Sequence, residues 1–168
     1  NDPAGLLAEI MGKNGAICNG VGGSQHIRVD GYFSTGVQGE GIGLAAGMAL
    51  SWKRKGRTGF VISFIGDGTW GQGIVYETLN ISSLWSLPLI VIVENNGIAQ
   101  TTPTTSAMAG SIEQRAAAFE INYVRIEGSD ISGIRESLVG PIAEARRKTR
   151  PLIIEFFAER LGPHSKGD

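Results

Sequence analysis

Two short apolar runs, 60–65 (FVISFI) and 89–94 (LIVIVE), constrain this chain more than any other feature. Each has the length and β-branched content of a buried strand. Each also ends abruptly, the first on Gly66-Asp67-Gly68 and the second on Asn95-Asn96-Gly97. Residues 123–127 (YVRIE) and 152–157 (LIIEFF) predict two further strands. Between them lie helical patterns. Residues 71–87 carry Ile74, Val75, Leu79, Leu84 and Trp85 at helical spacing, and Pro88 stops the run. Ile131, Ile134, Leu138, Ile142 and Ala145 form an apolar stripe, with Ser129 and Asp130 placed to cap its start. Arg146, Arg147 and Lys148 stand at its end, where the helix dipole favours cations. Residues 44–55 (LAAGMALSWKRK) predict another helix. Strand–helix alternation with short turns implies an α/β fold, a three-layer parallel sheet with helices on both faces. With no repeat, low-complexity tract or linker in view, residues 1–168 read as a single domain.

Composition narrows the function classes. Fifteen basic and sixteen acidic residues give a net charge of −1, without the basic footprint of a nucleic-acid binder. A lone cysteine, Cys18, excludes an internal disulfide framework and a cysteine-based zinc site. No apolar run reaches the length of a membrane span, and Asn1-Asp2-Pro3 does not open a signal peptide. The expectation is therefore a cytoplasmic protein with neither nucleic-acid nor membrane partners. Glycine is the outlier, with 25 residues, many of them before position 75. Glycine serves where backbone approaches something closely or adopts positive φ.

Ligands of parallel α/β sheets bind at the carboxyl ends of the strands. Asp67 stands at one such end and Asn95-Asn96 at another. Two adjacent strands ending in oxygen-bearing side chains suggest a hard cation. Magnesium takes six oxygens and is commonly held by one or two protein groups plus phosphates. Asp67 offers charge, an Asn amide a neutral oxygen and a loop carbonyl a third. Gly68 and Thr69 then open a helix whose free N–H groups would face an anion. A diphosphate bridged by magnesium satisfies every part. Gly-Asp-Gly alone is a weak signal, and the plainer alternative is that Asp67 caps a helix while Asn95-Asn96 make a turn. Competing motifs fail. GEGIGLAAG misplaces the third glycine of a dinucleotide fingerprint, and Gly12-Lys13 lacks the Ser or Thr of a P-loop. Trp52, Trp70 and Trp85 are too scattered for a stacking platform and read as packing residues.

The stretch GDGTWGQGIVYETLNISSLWSLPLIVIVENNGIAQTTP resembles the thiamine diphosphate motif, Gly-Asp-Gly followed by Asn-Asn after a helix–strand unit. More narrowly, the chain is similar to alpha subunits of the first, decarboxylating component of 2-oxoacid dehydrogenase complexes. GVGGSQH, GIGLAAGMALSWKRKG, MAGSIEQRAAAFEI and ERLGPHSKGD agree, so the likeness covers almost the whole chain. It implies a thiamine diphosphate-binding fold of the diphosphate type. It also implies magnesium ligation by Asp67, the Asn96 side chain and the Ile98 carbonyl, with Gly68 and Thr69 at the diphosphate. Gly36 and Gln38, in STGVQGEG, match the loop against the cofactor's thiazolium–pyrimidine waist. His164 matches a histidine that faces the diphosphate and the active centre from a mobile loop, and is the expected catalytic acid–base group. The alternative for His164 is a solvated tail position. Ser165 occupies a position phosphorylated in some relatives. His26, beside Gln25 where methionine is common, reads as structural or supporting.

The resemblance also implies what lies elsewhere. A carboxylate must activate the aminopyrimidine, and in this family that Glu comes from a beta-type subunit. No candidate for it is found here. The Tyr-Arg region that precedes this segment in relatives, and the helices after the His-Ser loop, are also missing. The chain thus reads as the middle part of a longer alpha subunit. Its expected role is oxidative decarboxylation of a 2-oxoacid with the beta-type subunit and a lipoyl-bearing acyltransferase, in the cytoplasm or, in a eukaryote, the mitochondrial matrix. The alternatives are a thiamine diphosphate-dependent carboligase and a non-catalytic diphosphate-binding subunit.

Overall fold

The computed structural model describes residues 2–165. Asn1, at the chain's opening, and Lys166-Gly167-Asp168, which end the ERLGPHSKGD motif, lie outside the described residues. Packing divides the chain into two compact units, Asn1–Gly41 and Ile42–Asp168.

The first unit begins with α1 (Pro3–Ile10). Asp2 caps it by accepting the Gly5 N–H at 2.8 Å, and Pro3 fits the first turn, where no N–H is needed. The chain then wraps around one carboxylate. Glu9 is fully buried and accepts the backbone N–H groups of Cys18, Gly20 and Gly22 at 2.7, 2.9 and 2.6 Å. Burial alone would raise the Glu9 pKa. The amides of Gly20, Gly22, Cys18 and Gly23 outweigh it and hold the group below its ordinary value. A small antiparallel hairpin, β1 (Arg28–Val29) with β2 (Tyr32–Phe33), completes the unit's regular structure.

The second unit is the α/β body. Helix α2 (Glu40–Arg54) begins just before it and leads to β3 (Val61–Gly66). A 3-10 turn (Asp67–Gly71), α3 (Gly73–Leu84) and β4 (Leu89–Asn95) follow. Next come the short pair β5 (Ile98–Ala99) and β6 (Thr102–Pro103), then α4 (Thr104–Ala107) and α5 (Ile112–Ala118). Strand β7 (Asn122–Glu127), α6 (Ile131–Lys148) and β8 (Leu152–Phe157) close the unit. The four long strands form one parallel sheet in the order β3-β4-β8-β7.

Period-2 alternation sorts the central strands onto two cores. Leu89, Val91 and Val93 of β4, with Ile153 of β8, face one side. There they pack with Ile42, Ala45, Ala46 and Ala49 of α2, Val75 and Leu79 of α3, and Ile112 and Ala116 of α5. Ile90, Leu152 and Ile154 face the other, with Ile126 of β7 and with Ile134, Leu138, Ile142 and Ala145 of α6. Helices thus cover both faces, the expected three-layer parallel architecture. Each fully buried aliphatic side chain contributes about 1.5–3 kcal/mol of transfer free energy.

Several expectations need adjustment. Helix α2 starts four residues earlier than its pattern predicts, because Gly41 and Gly43 read as breakers but lie within the helix. Predicted helix 71–87 is a shorter α3 that follows a 3-10 turn ending at Gly71, and Ile74, Leu84 and Trp85 are exposed. Strand β3 is not buried on both faces. It lies at the sheet edge, beyond the strands that α6 packs on most closely, β7 and β8, and Ile62 and Phe64 remain 51% and 64% exposed. Helix α6 begins as predicted, with the Asp130 carboxylate accepting the N–H groups of Ser132 and Gly133 at 3.1 Å each. Pro141 lies within it. Among the described residues no helix is long and apolar enough to cross a membrane.

Candidate functional site

The site is built at the carboxyl edge of β3 and β4. These strands run in parallel register, with Ile65 opposite Val93 and Gly66 opposite Glu94. Their ends therefore deliver Asp67 and the Asn95-Asn96-Gly97 loop to the same edge. Asp67 opens the 3-10 turn and is 2% exposed. A buried carboxylate costs free energy unless it is paired and hydrogen-bonded. Its Oδ2 accepts the Thr104 hydroxyl, and among the described residues no basic side chain forms an ion pair with it. The Thr104 N–H in turn donates to the Gly97 carbonyl at 2.9 Å. One residue thus ties Asp67 to the Asn96 loop.

Gly68 fixes a second approach. A Cβ there would lie 2.4 Å from the Ala99 Cβ, closer than two non-bonded carbon atoms come. Glycine is needed so that β5 can close onto the turn. Thr69 is buried, and Trp70 is fully buried beneath the turn as a packing residue. The Trp70 carbonyl accepts the Tyr76 hydroxyl and the Arg115 Nη1, the latter at 2.9 Å. Arg115 Nη2 also donates to the Ala109 carbonyl at 2.5 Å, pinning the far end of the turn. Gly68 and Thr69 thus sit in a 3-10 turn rather than in the first turn of an α-helix, which starts at Gly73.

The loop after β4 is locally self-bonded. Asn95 Oδ1 accepts the Gly97 N–H at 2.9 Å, and Asn96 Oδ1 accepts the Ile98 N–H at 3.1 Å. Asn96 is exposed, and an amide oxygen that accepts one N–H keeps a second lone pair. Gly97 takes φ +76, a left-handed conformation that glycine adopts without strain. Beyond β8, Arg160 Nη1 donates to the Gln100 carbonyl at 2.7 Å, and the Ala158 N–H donates to the Asn95 carbonyl at 2.9 Å. His164 lies four residues past Arg160, exposed and outside any helix or strand.

Asp67, Gly68, Asn96 and Ile98 are therefore brought to one edge. Gly36 and Gln38 belong to the first unit. A Cβ on Gly36 would lie 2.4 Å from Gln25 Oε1, so that glycine makes room for the Gln25 side chain. His26 Nδ1 lies 3.5 Å from the Thr35 hydroxyl, which donates to Glu40 at 2.6 Å, in keeping with a structural role. Thr104 and Arg115 shape the site but carry no signal in the sequence, because their partners lie 37 and 45 residues away.

The residues fit a hard cation next to an anion. An uncompensated buried carboxylate, an amide oxygen and backbone carbonyls form an oxygen-only donor set of the type magnesium takes. Among the described residues no cluster of three or more His, Cys, Asp or Glu side chains is placed to hold a metal. A softer transition-metal centre thus has no ligand set there.

In parallel α/β bodies ligands bind at the carboxyl ends of the strands, which is where this edge lies. The chain belongs to the dehydrogenase E1 component family, whose model matches residues 2–168. It is 38% identical over 171 residues to the alpha subunit of acetoin:2,6-dichlorophenolindophenol oxidoreductase of Cupriavidus necator, covering 99% of this chain and 51% of that one. It is 33% identical over 168 residues to the pyruvate dehydrogenase E1 component subunit alpha of Rhizobium meliloti, covering 98% and 48%. The chain thus spans about half the length of these relatives. Its fold is also that of a transketolase from Campylobacter jejuni, with a TM-score of 0.65 and 23% identity over 86% of this chain and 22% of that one.

Proposed function

We propose that this chain is the diphosphate- and cation-binding part of an alpha-type E1 subunit, which uses thiamine diphosphate and Mg2+ to decarboxylate a 2-oxoacid together with a beta-type subunit. The observation that carries the reading is the buried Asp67 carboxylate, tied by Thr104 to the Asn96 loop and uncompensated by any described basic side chain. Asp67, the Asn96 amide oxygen and the Ile98 carbonyl would hold Mg2+. The backbone of Gly68 and Thr69 would face the diphosphate. Gly36 and Gln38 would contact the cofactor between its two rings. His164 would give or take a proton at the reacting centre. When bound, thiamine diphosphate supplies the electron sink that decarboxylation of a 2-oxoacid requires.

This chain offers no carboxylate assigned to the pyrimidine, so a beta-type subunit is proposed to supply it, with a lipoyl-bearing acyltransferase as acceptor. Mixing the full alpha-type chain with a beta-type partner should switch on decarboxylation. Turnover by the alpha-type chain alone would contradict the split site. A second reading rests on the higher identity to the acetoin oxidoreductase subunit, 38% against 33%. On that reading the substrate is an acyloin, and the assembled enzyme should turn over acetoin in preference to pyruvate.

A further inference from the structure

Three carboxylates are fully or nearly buried among the described residues: Glu9, Asp67 and Glu155. Glu9 organises the first unit, and Asp67 belongs to the candidate cation site. Glu155 has no role in either. It sits on the central strand β8 after the apolar run Leu152, Ile153 and Ile154, and is 3% exposed. A carboxylate buried there costs free energy unless it is hydrogen-bonded, so its partners matter.

Both Glu155 oxygens are engaged. Oε1 accepts the Asn95 Nδ2 at 2.5 Å, and Oε2 accepts the Tyr123 hydroxyl at 2.5 Å. The orientation of the Asn95 amide is fixed independently. A backbone N–H can only donate, so the Gly97 N–H must meet Asn95 Oδ1, which turns Nδ2 toward Glu155. The Asn95 carbonyl is meanwhile held by the Ala158 N–H. Asn95 is thus gripped through its amide and its backbone at the point where β4 becomes the loop. The next two bonds of that loop, Asn95 to Gly97 and Asn96 to Ile98, set where the Asn96 oxygen and the Ile98 carbonyl lie.

We infer that Glu155, braced by Tyr123, is a positioning residue for the cation-binding loop, acting through the Asn95 amide on Asn96 and Ile98. The inference rests on reading Asp67 and Asn96 as Mg2+ ligands. Partners of metal ligands orient them, and losing such a partner commonly costs about 10–100-fold in metal affinity. Glutamine keeps an acceptor for the Asn95 amide, and its own amide can donate to the Tyr123 oxygen, so Glu155→Gln should preserve the clamp. Methionine has a similar shape but no hydrogen-bonding oxygen, so Glu155→Met should release it.

The test uses the full chain assembled with its beta-type partner. Mg2+ affinity is read by calorimetry in the presence of thiamine diphosphate, and backbone amide exchange across residues 95–99 in the cofactor-free assembly. Glu155→Met should weaken Mg2+ at least about tenfold and speed exchange across 95–99 at a temperature where the variant is still folded, while Glu155→Gln stays within about threefold of wild type. Should Glu155→Met not fold, Tyr123→Phe removes the brace on Glu155 without touching Asn95 and should move both readouts in the same direction. Unchanged Mg2+ affinity and unchanged exchange in the folded variant would overturn the positioning role alone. A wild-type assembly that binds no Mg2+ with the cofactor would overturn the ligand reading, and this inference with it.

Discussion

The Thr104 hydroxyl donates to Asp67 Oδ2, and both side chains are buried. Because the Thr104 backbone also holds the Gly97 carbonyl, this contact couples the carboxylate at the end of β3 to the loop at the end of β4. Thr104→Val keeps the shape and removes the donor. A buried carboxylate stripped of a partner costs about 1–3 kcal/mol, and urea unfolding of the variant should show a loss in that range. An unchanged midpoint would mean that water already serves the carboxylate.

Gly68 and Ala99 form the second coupling. Gly68→Ala forces two carbon atoms into a space of 2.4 Å, so the turn and β5 must separate. Overpacking of this type typically costs about 1–3 kcal/mol, and cofactor binding should weaken with it. Ala99→Gly in the same chain should restore much of both, since only the Ala99 Cα at 3.4 Å would then remain close. Failure of the double variant to recover would place the strain elsewhere.

Strands β3, β4 and β8 were legible as short, mostly apolar runs rich in β-branched residues, and β4 and β8 place alternate residues on two cores. The placement of Asp67 and Asn96 at one edge followed from the same pattern. What holds them there did not. Thr104 reads as one more threonine in TTPTTS, and Glu155 as an anomaly in LIIEFF, because neither partner lies within a helical turn or an adjacent strand position of its own segment. Ile62 and Phe64 looked buried because a run cannot reveal that its strand will be an edge. Helix α1 carries no apolar core stripe, because its Leu6, Leu7 and Ile10 are exposed and the residues it buries are Gly5 and Glu9.

Glu9 sets a pH dependence in the first unit. Its folded-state pKa is lowered, so the folded state binds the proton less readily than the unfolded chain does. The stabilisation is fully present above the unfolded value near 4.5 and is lost as pH falls through the lower folded value. Amide exchange at Cys18, Gly20 and Gly22 should therefore accelerate as pH drops below 4.5, after correction for the intrinsic rate. Glu9→Gln should show fast exchange already at neutral pH, with little further change on acidification. Protection retained in that variant would show that the loop does not depend on the carboxylate.

His164 should matter to turnover and not to folding. It is exposed and outside regular structure, where substitutions usually change stability by within about 0.5 kcal/mol. His164→Ala should keep its melting temperature and lose about 10²–10⁴-fold in kcat in the assembled enzyme, as loss of a proton-transfer group does. Near-wild-type turnover would return it to a solvated position.

The central claim is that Asp67 holds a cation that bridges a diphosphate to the turn at Gly68 and Thr69. Calorimetric titration of thiamine diphosphate into the full, assembled protein tests it directly, with Mg2+ present, with excess chelator, and with Asp67→Ala. Saturable binding is expected in the first case and its collapse in the other two, because the diphosphate would then meet the protein without the bridging charge. Equal affinity in all three would contradict it.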